Sequence, residues 1–190
     1  MLGRFTQVLG DIRKGTLTAL TVKKNMLSRQ LISDDKQIGL LCDQFQLIDE
    51  DFENWNKTYL DRETGIKWTL YYVDGSIQGG GCPILGRQPL PDTNRLIELA
   101  LSSDSEDEVF AACRTLTDNE EIQKIEFRAE LIDRLEKISD SHRQAKVVKL
   151  TNLNSPLNRR DSLGKTIDQV NSDANHFSSI ADRADNLTQE

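Results

Sequence analysis

Residues Ile66 to Val73 read I-K-W-T-L-Y-Y-V, the densest run of aromatic and β-branched side chains in the chain. Such side chains pack well on a pleated surface and crowd a helix. The run is bracketed by turn chemistry. Asp61-Arg62-Glu63-Thr64-Gly65 precedes it, and Asp74-Gly75, a hairpin dipeptide, follows. Tyr59-Leu60 leads in, and Ser76-Ile77-Gln78 is predicted to return as a short strand. Gly79-Gly80-Gly81 is expected to end the sheet, because three glycines pack little and permit any backbone angle. A small antiparallel meander therefore sits in the middle of the chain, which rules out an all-helical fold.

On either side the period changes. Upstream, Ile38, Leu41, Phe45, Ile48, Phe52 and Trp55 recur at steps of three and four, which predicts one amphipathic helix with Ser33 as N-cap. Asp49, Glu50, Asp51 and Glu53 would lie at its C-terminal end, where the helix dipole disfavours negative charge, so fraying into a solvated loop is expected there. No histidine accompanies these acids, so a metal site is not the better reading. The first thirty residues, broken by Gly10 and Gly15, read as short strands or irregular chain.

From Pro91 onward helices are predicted. Leu96, Ile97, Leu99, Ala100 and Leu101 mark one. Ser105 and Glu108 open a second as a capping box, with Val109, Ala112, Cys113 and Leu116 inward. Thr117 and Glu120 read as a further box, before a helix placing Ile122, Ile125, Ala129, Ile132, Leu135 and Ile138 inward. Ala145, Val148 and Leu150 mark a short helix. A polar stretch around Pro156 reads as a linker, and Ile167, Val170, Ala174, Phe177, Ala181 and Ala184 mark the last helix. The expected class is α+β: a small antiparallel β-meander with an N-terminal helix, then a C-terminal α-helical bundle. The expected division is an α+β unit over 1–91, a helical bundle over 92–151, and a linker with a docking helix over 152–190.

Charge narrows the function. The chain of 190 residues carries 31 acids against 24 bases, a net charge of −7. Residues 92–140 alone hold 14 acids and 6 bases. An acidic balance argues against nonspecific binding to nucleic acid or anionic membrane. No stretch approaches the roughly 18 apolar residues of a membrane span. The N-terminal residues MLGRFTQVLGDIRKG hold no signal-peptide core, and three scattered cysteines form no C-x-x-C, so a reduced cytosolic protein is expected.

Catalytic and cofactor motifs are thin. Gly164-Lys165-Thr166 looks like the tail of a phosphate-binding loop, but Arg159 stands where its first glycine belongs and no strand precedes it. Gln78 to Gly81 looks like an esterase oxyanion loop, yet no G-x-S-x-G accompanies it. Cys82 as a nucleophile with His142 or His176 as base is weaker than a half-buried structural thiol beside a proline. No catalytic residue, cofactor or metal is expected.

The run from Asp61 to Leu85, D-R-E-T-G-I-K-W-T-L-Y-Y-V-D-G-S-I-Q-G-G-G-C-P-I-L, resembles the core signature of the immunity protein 27 family of bacterial polymorphic-toxin systems. Asp61, Gly65, Trp68, Tyr71, Ser76, Gly79, Gly80, Gly81, Pro83 and Leu85 follow the family's order. Gln78 stands where the family usually has histidine. About a hundred residues after Leu85 form a helical extension the compact family does not require. The resemblance implies a cytosolic protein that binds and neutralises a cognate toxin, with no catalysis of its own.

On that reading Asp104, Glu106, Asp107 and Glu108 are candidate contacts to a basic toxin, with Trp68 and Tyr72 as aromatic anchors. The same acids sit at a helix start, where the dipole alone stabilises them. Gly79, Gly80, Gly81 and Pro83 are expected to be structural. The competing reading is a non-enzymatic helical scaffold or adaptor that holds its partner through the last helix.

Overall fold

The structure, a computed structural model, describes residues 26–75 and 80–188. The strands expected in the first 25 residues, the return strand at Ser76-Ile77-Gln78, and Gly79 lie outside the described residues. The fold is α+β, with a five-stranded antiparallel sheet and helices mostly in the C-terminal half.

In chain order the elements begin with strand β1 (Leu31–Ile32) and helix α1 (Asp35–Cys42). Strands β2 (Gln46–Asp51), β3 (Asn56–Leu60), β4 (Lys67–Val73) and β5 (Cys82–Arg87) follow. Helices α2 (Thr93–Ser102), α3 (Glu106–Gln123), α4 (Arg128–Leu135), α5 (Ser141–Thr151) and α6 (Ile167–Asn186) complete the chain. The sheet order is β1-β5-β4-β3-β2, so β1 and β2 are opposite edges.

Alternation along β4 and β5 divides the core into two layers. Trp68 and Leu70 of β4 and Leu85 of β5 face one way and pack with Ile32, Ile38, Leu41, Phe45 and Met26 under α1. Val73 and Ile84 face the other way, with Tyr71 against them, and join Leu96, Val109, Leu116, Leu131 and Val148 of the helices. The sheet and the helical bundle thus share a core, and Ile180 and Ala184 of α6 belong to it as well. Tyr71 ties the sheet to α3 by polarity too, its hydroxyl lying 3.0 Å from Thr115 Oγ1, and burial pushes its phenol up to about 12.

Three expectations are corrected. The predicted helix over 38–55 ends at Cys42 and becomes strand β2 and its turn, so Ile48, Phe52 and Trp55 are exposed. Its N-cap is Asp34, which accepts from Gln37 N at 2.8 Å, and Ser33 is engaged by Asp107 instead. Second, Gly80 and Gly81 do not end the sheet. Cys82 pairs with Val73, so the returning strand begins after them. Third, no helix starts at Thr117. Its hydroxyl donates to Arg114 O inside the unbroken α3, which ends at Lys124 in the left-handed conformation (φ 58°). Ile122 and Ile125 are exposed, and Phe127, fully buried, anchors the start of α4. Glu120 is drawn away from any cap by Arg128, whose Nε donates to both of its oxygens at 2.9 and 2.8 Å.

A latch joins the small edge strand to the bundle. Glu108 Oε1 accepts from Gln30 N at 2.6 Å and Leu31 N at 3.2 Å, while Oε2 accepts from Ser103 Oγ at 2.7 Å. Asp107 accepts from Ser33 N at 3.1 Å and from Ser33 Oγ at 2.5 Å. A two-residue strand has too little ladder of its own, and these carboxylates meet the backbone donors β1 presents at its helix side.

Candidate partner-binding surface

At the far edge of the sheet, β2 and β3 are joined by Phe52-Glu53-Asn54-Trp55. Asp51 shapes this turn. Its Oδ1 accepts from Glu53 N at 3.0 Å and Asn54 N at 3.2 Å, and its Oδ2 accepts from Asn54 Nδ2 at 2.7 Å. These donors hold the Asp51 carboxyl below the usual carboxylate range. Trp55 closes the turn at φ 58°, a conformation that is an outlier for a bulky residue. Such strain is retained where the position of the side chain matters.

The turn carries two large aromatics almost wholly in solvent. Phe52 is 78 % and Trp55 75 % exposed, and Leu47, Ile48 and Tyr72 are partly exposed alongside. Single exposed apolar residues are ordinary, but two large aromatics on one four-residue turn make it a candidate contact surface. Trp55 and Tyr72 line a cavity of about 460 Å³ with Asn54, Gly75, Gly80 and Gly81. Gly80 and Gly81 form its floor at φ 87° and 80°. A Cβ on Gly81 would collide with the Val73 carbonyl oxygen, so this residue must be glycine for the β4–β5 connection to close.

Acids flank the aromatics in the sequence. Asp49, Glu50, Asp51 and Glu53 lie within the strand and its turn, and Glu50 forms an ion pair there with Lys57 at 2.7 Å. The register slips between Leu47 and Asp49, so Ile48 bulges from the ladder. A bulge and a run of like charges both discourage another strand from adding to an edge. The surface is therefore suited to recognition by side chains.

The sequence-predicted contacts fall in different places. Tyr72, Gly80 and Gly81 come together at the cavity, and Pro83 pairs with Tyr72 across the ladder. Trp68 does not join them: it is fully buried, stacked on Phe45 with ring centroids 6.2 Å apart, and is corrected from anchor to core. Asp107 and Glu108 are committed to β1, and Glu106 to Lys146 and Arg143, at the edge opposite the hairpin. Asp104 is exposed. Phe52 and Trp55 are the residues that sequence periodicity misplaced. Asp51-x-x-Asn54, an Asx-turn spacing, is the signal that marks them as a turn.

Lys165 is held by Asp173 at 2.6 Å, and Thr166 caps α6 in a reciprocal box with Gln169, so neither faces a phosphate cradle. Cys82 packs against the helix-side core, and Cys113 is fully buried with its thiol pushed up to about 12 by burial. Among the described residues no group of three or more metal-ligating side chains occurs, and no helix is long and apolar enough to cross a membrane. No family model matches the chain, and neither a curated protein nor a solved structure matches it.

Proposed function

We propose that this protein is an immunity protein, which binds and neutralises a cognate toxin in the cytosol of the producing cell, and that it does so through the β2–β3 hairpin. The observation that carries the reading is the pair Phe52 and Trp55, 78 % and 75 % exposed, with Asp49, Glu50, Asp51 and Glu53 beside them in the sequence. Aromatic anchors supply most of the energy of a protein interface, and surrounding charge selects the partner and speeds encounter. These acids suit a basic toxin. The resemblance over Asp61–Leu85 supports the same reading, and Asp61, Gly65 and Trp68 of that stretch frame the hairpin. Asp61 accepts from Thr64 Oγ1 at 2.7 Å and Gly65 turns at φ 72°, which delivers Trp68 into the core.

The adaptor reading places recognition on α6 instead. That helix contributes Phe177, Ile180, Ala181 and Ala184 to the buried interior and is tied down by Arg183 to Asp133 and Glu136, both at 2.7 Å. The C-terminal half of its apolar stripe is thus already used, while Ile167, predicted inward, is exposed at 78 % and Ala174 is exposed too.

The test is functional. The toxin domain encoded beside this gene, expressed in a bacterial host, should arrest growth, and co-expression of this chain should restore it. Cys82→Ser should restore growth equally well. Continued arrest with the folded protein present, or an isolated locus with no toxin gene, overturns the proposal.

A further inference from the structure

A second cavity, of about 530 Å³, opens where the C-terminal ends of α3 and α5 meet the segment 158–161. Five cations line it, and four are matched. Arg114 donates to Asp74 at 2.8 Å, Arg128 to Glu120 at 2.8 Å and Arg160 to Asp173 at 2.6 Å, while Lys124 stands 4.0 Å from Asp161. Arg159 differs. Its Nε meets no acceptor among the described residues. The acid whose charge it feels, Glu120, already gives both oxygens to Arg128.

A guanidinium donor without an acceptor is uncommon, and Arg159 as a whole is only half-buried, so its fork can turn to meet one in the cavity. The fork of an arginine matches two coplanar oxygens, as a carboxylate or a phosphate presents them. Lys124, half exposed and only loosely paired, can turn its ammonium toward the same point. Glu121 and Asp161 also line the cavity and limit how much negative charge it tolerates. We propose that this cavity binds a small molecule through one oxyanion group, a phosphate or a carboxylate, seated on Arg159 with Lys124 beside it. A polyanion such as a triphosphate is excluded by the same acids. The site shares no lining residue with the cavity at the hairpin, so it stands or falls independently of toxin binding.

The experiment is an NMR titration of the full chain, following the Arg159 Nε–H signal and the amides of Asn152 and Asn158. Inorganic phosphate and acetate are the two probes, each against sodium chloride at equal ionic strength. Saturable shifts with one probe are expected, and which probe gives them identifies the group. Arg159→Ala should weaken binding about tenfold or more, since a charge-assisted bond is lost. Arg159→Lys, which keeps the charge without the fork, should fall between. Arg62→Ala, on the other side of the fold beside Gln46, should bind like the native chain. Shifts that merely follow sodium chloride, or binding unchanged in Arg159→Ala and Arg159→Lys, overturn the proposal.

Discussion

Removing the carboxylate of Glu108 should unlatch the sheet from the bundle. In Glu108→Ala, two backbone donors lose their acceptor, Gln30 N at 2.6 Å and Leu31 N at 3.2 Å, and Ser103 Oγ loses a third bond. A buried donor left unmet costs about 1–3 kcal/mol. Leu31 is fully buried and Gln30 only partly, so the expected loss is about 3 kcal/mol. Glu108→Gln is the informative companion. Its amide oxygen can still accept both N–H groups, and its NH2 can donate to Ser103 Oγ, so only the charge assistance is lost, about 1 kcal/mol. Urea denaturation measures both values, and hydrogen exchange at Leu31 shows whether β1 opens first. The reasoning is refuted if Glu108→Ala costs under about 1 kcal/mol, or if Gln is as damaging as Ala. It would also fail if Glu108→Gln slowed association with the toxin while leaving stability intact, since this acid would then face a partner.

Other substitutions test the remaining parts. Gly81→Ala should cost about 2 kcal/mol or more, because a positive φ and a backbone collision combine, whereas Gly80→Ala meets open space and should cost about 1 kcal/mol. Equal melting of the two variants would contradict the packing at Val73. Arg128→Ala should destabilise by about 3–5 kcal/mol by leaving Glu120 buried without its partner, and replacing both by Met and Leu should recover much of that in a denaturant melt. Recovery that fails would show the ion pair to be net favourable. Acid should loosen α6 before α3. Hydrogen bonds from Arg160, Lys165 and Arg183 hold Glu126, Asp133, Glu136 and Asp173 below their ordinary 3.8–4.5. Their contribution is complete above those ordinary values and is lost as pH falls through the lowered ones. Glu120, pushed up by burial, contributes with the opposite sign. Hydrogen exchange at pH 3 should find α6 less protected than α3, and equal protection would contradict this.

The parts of the fold legible in the sequence are those where one physical signal acts alone. Trp68 to Val73 could only be strand. Val109, Ala112, Cys113 and Leu116 could only be the inner stripe of a helix, and all four are buried. The reading failed where two elements happened to share a period. Ile38 and Leu41 belong to α1, Phe45 is buried on Trp68 at the entry to β2, and Ile48, Phe52 and Trp55 are exposed on the edge and its turn. Spacing by three and four could not tell this from one helix, whereas the Asx chemistry of Asp51 could. At Thr117 a capping pattern was overridden by tertiary pairing, because Glu120 gains more from Arg128 than from a helix start. The acids at 104–108 showed their charge in the sequence but not their target. Only the fold reveals that two of them face the donors of Gln30, Leu31 and Ser33.

The central claim is that the hairpin aromatics anchor a toxin, and binding affinity measures it most directly. Where the neighbouring gene encodes a candidate toxin domain, that domain should be titrated calorimetrically with the native chain and with Phe52→Ala/Trp55→Ala. Both side chains are exposed, so the double variant should melt like the native protein. Anchors of this kind are worth about 2–4 kcal/mol, which predicts affinity at least about thirtyfold weaker. Affinity unchanged in that variant, with Glu106→Lys weakening it instead, would place the interface on the acidic helix start and contradict the account.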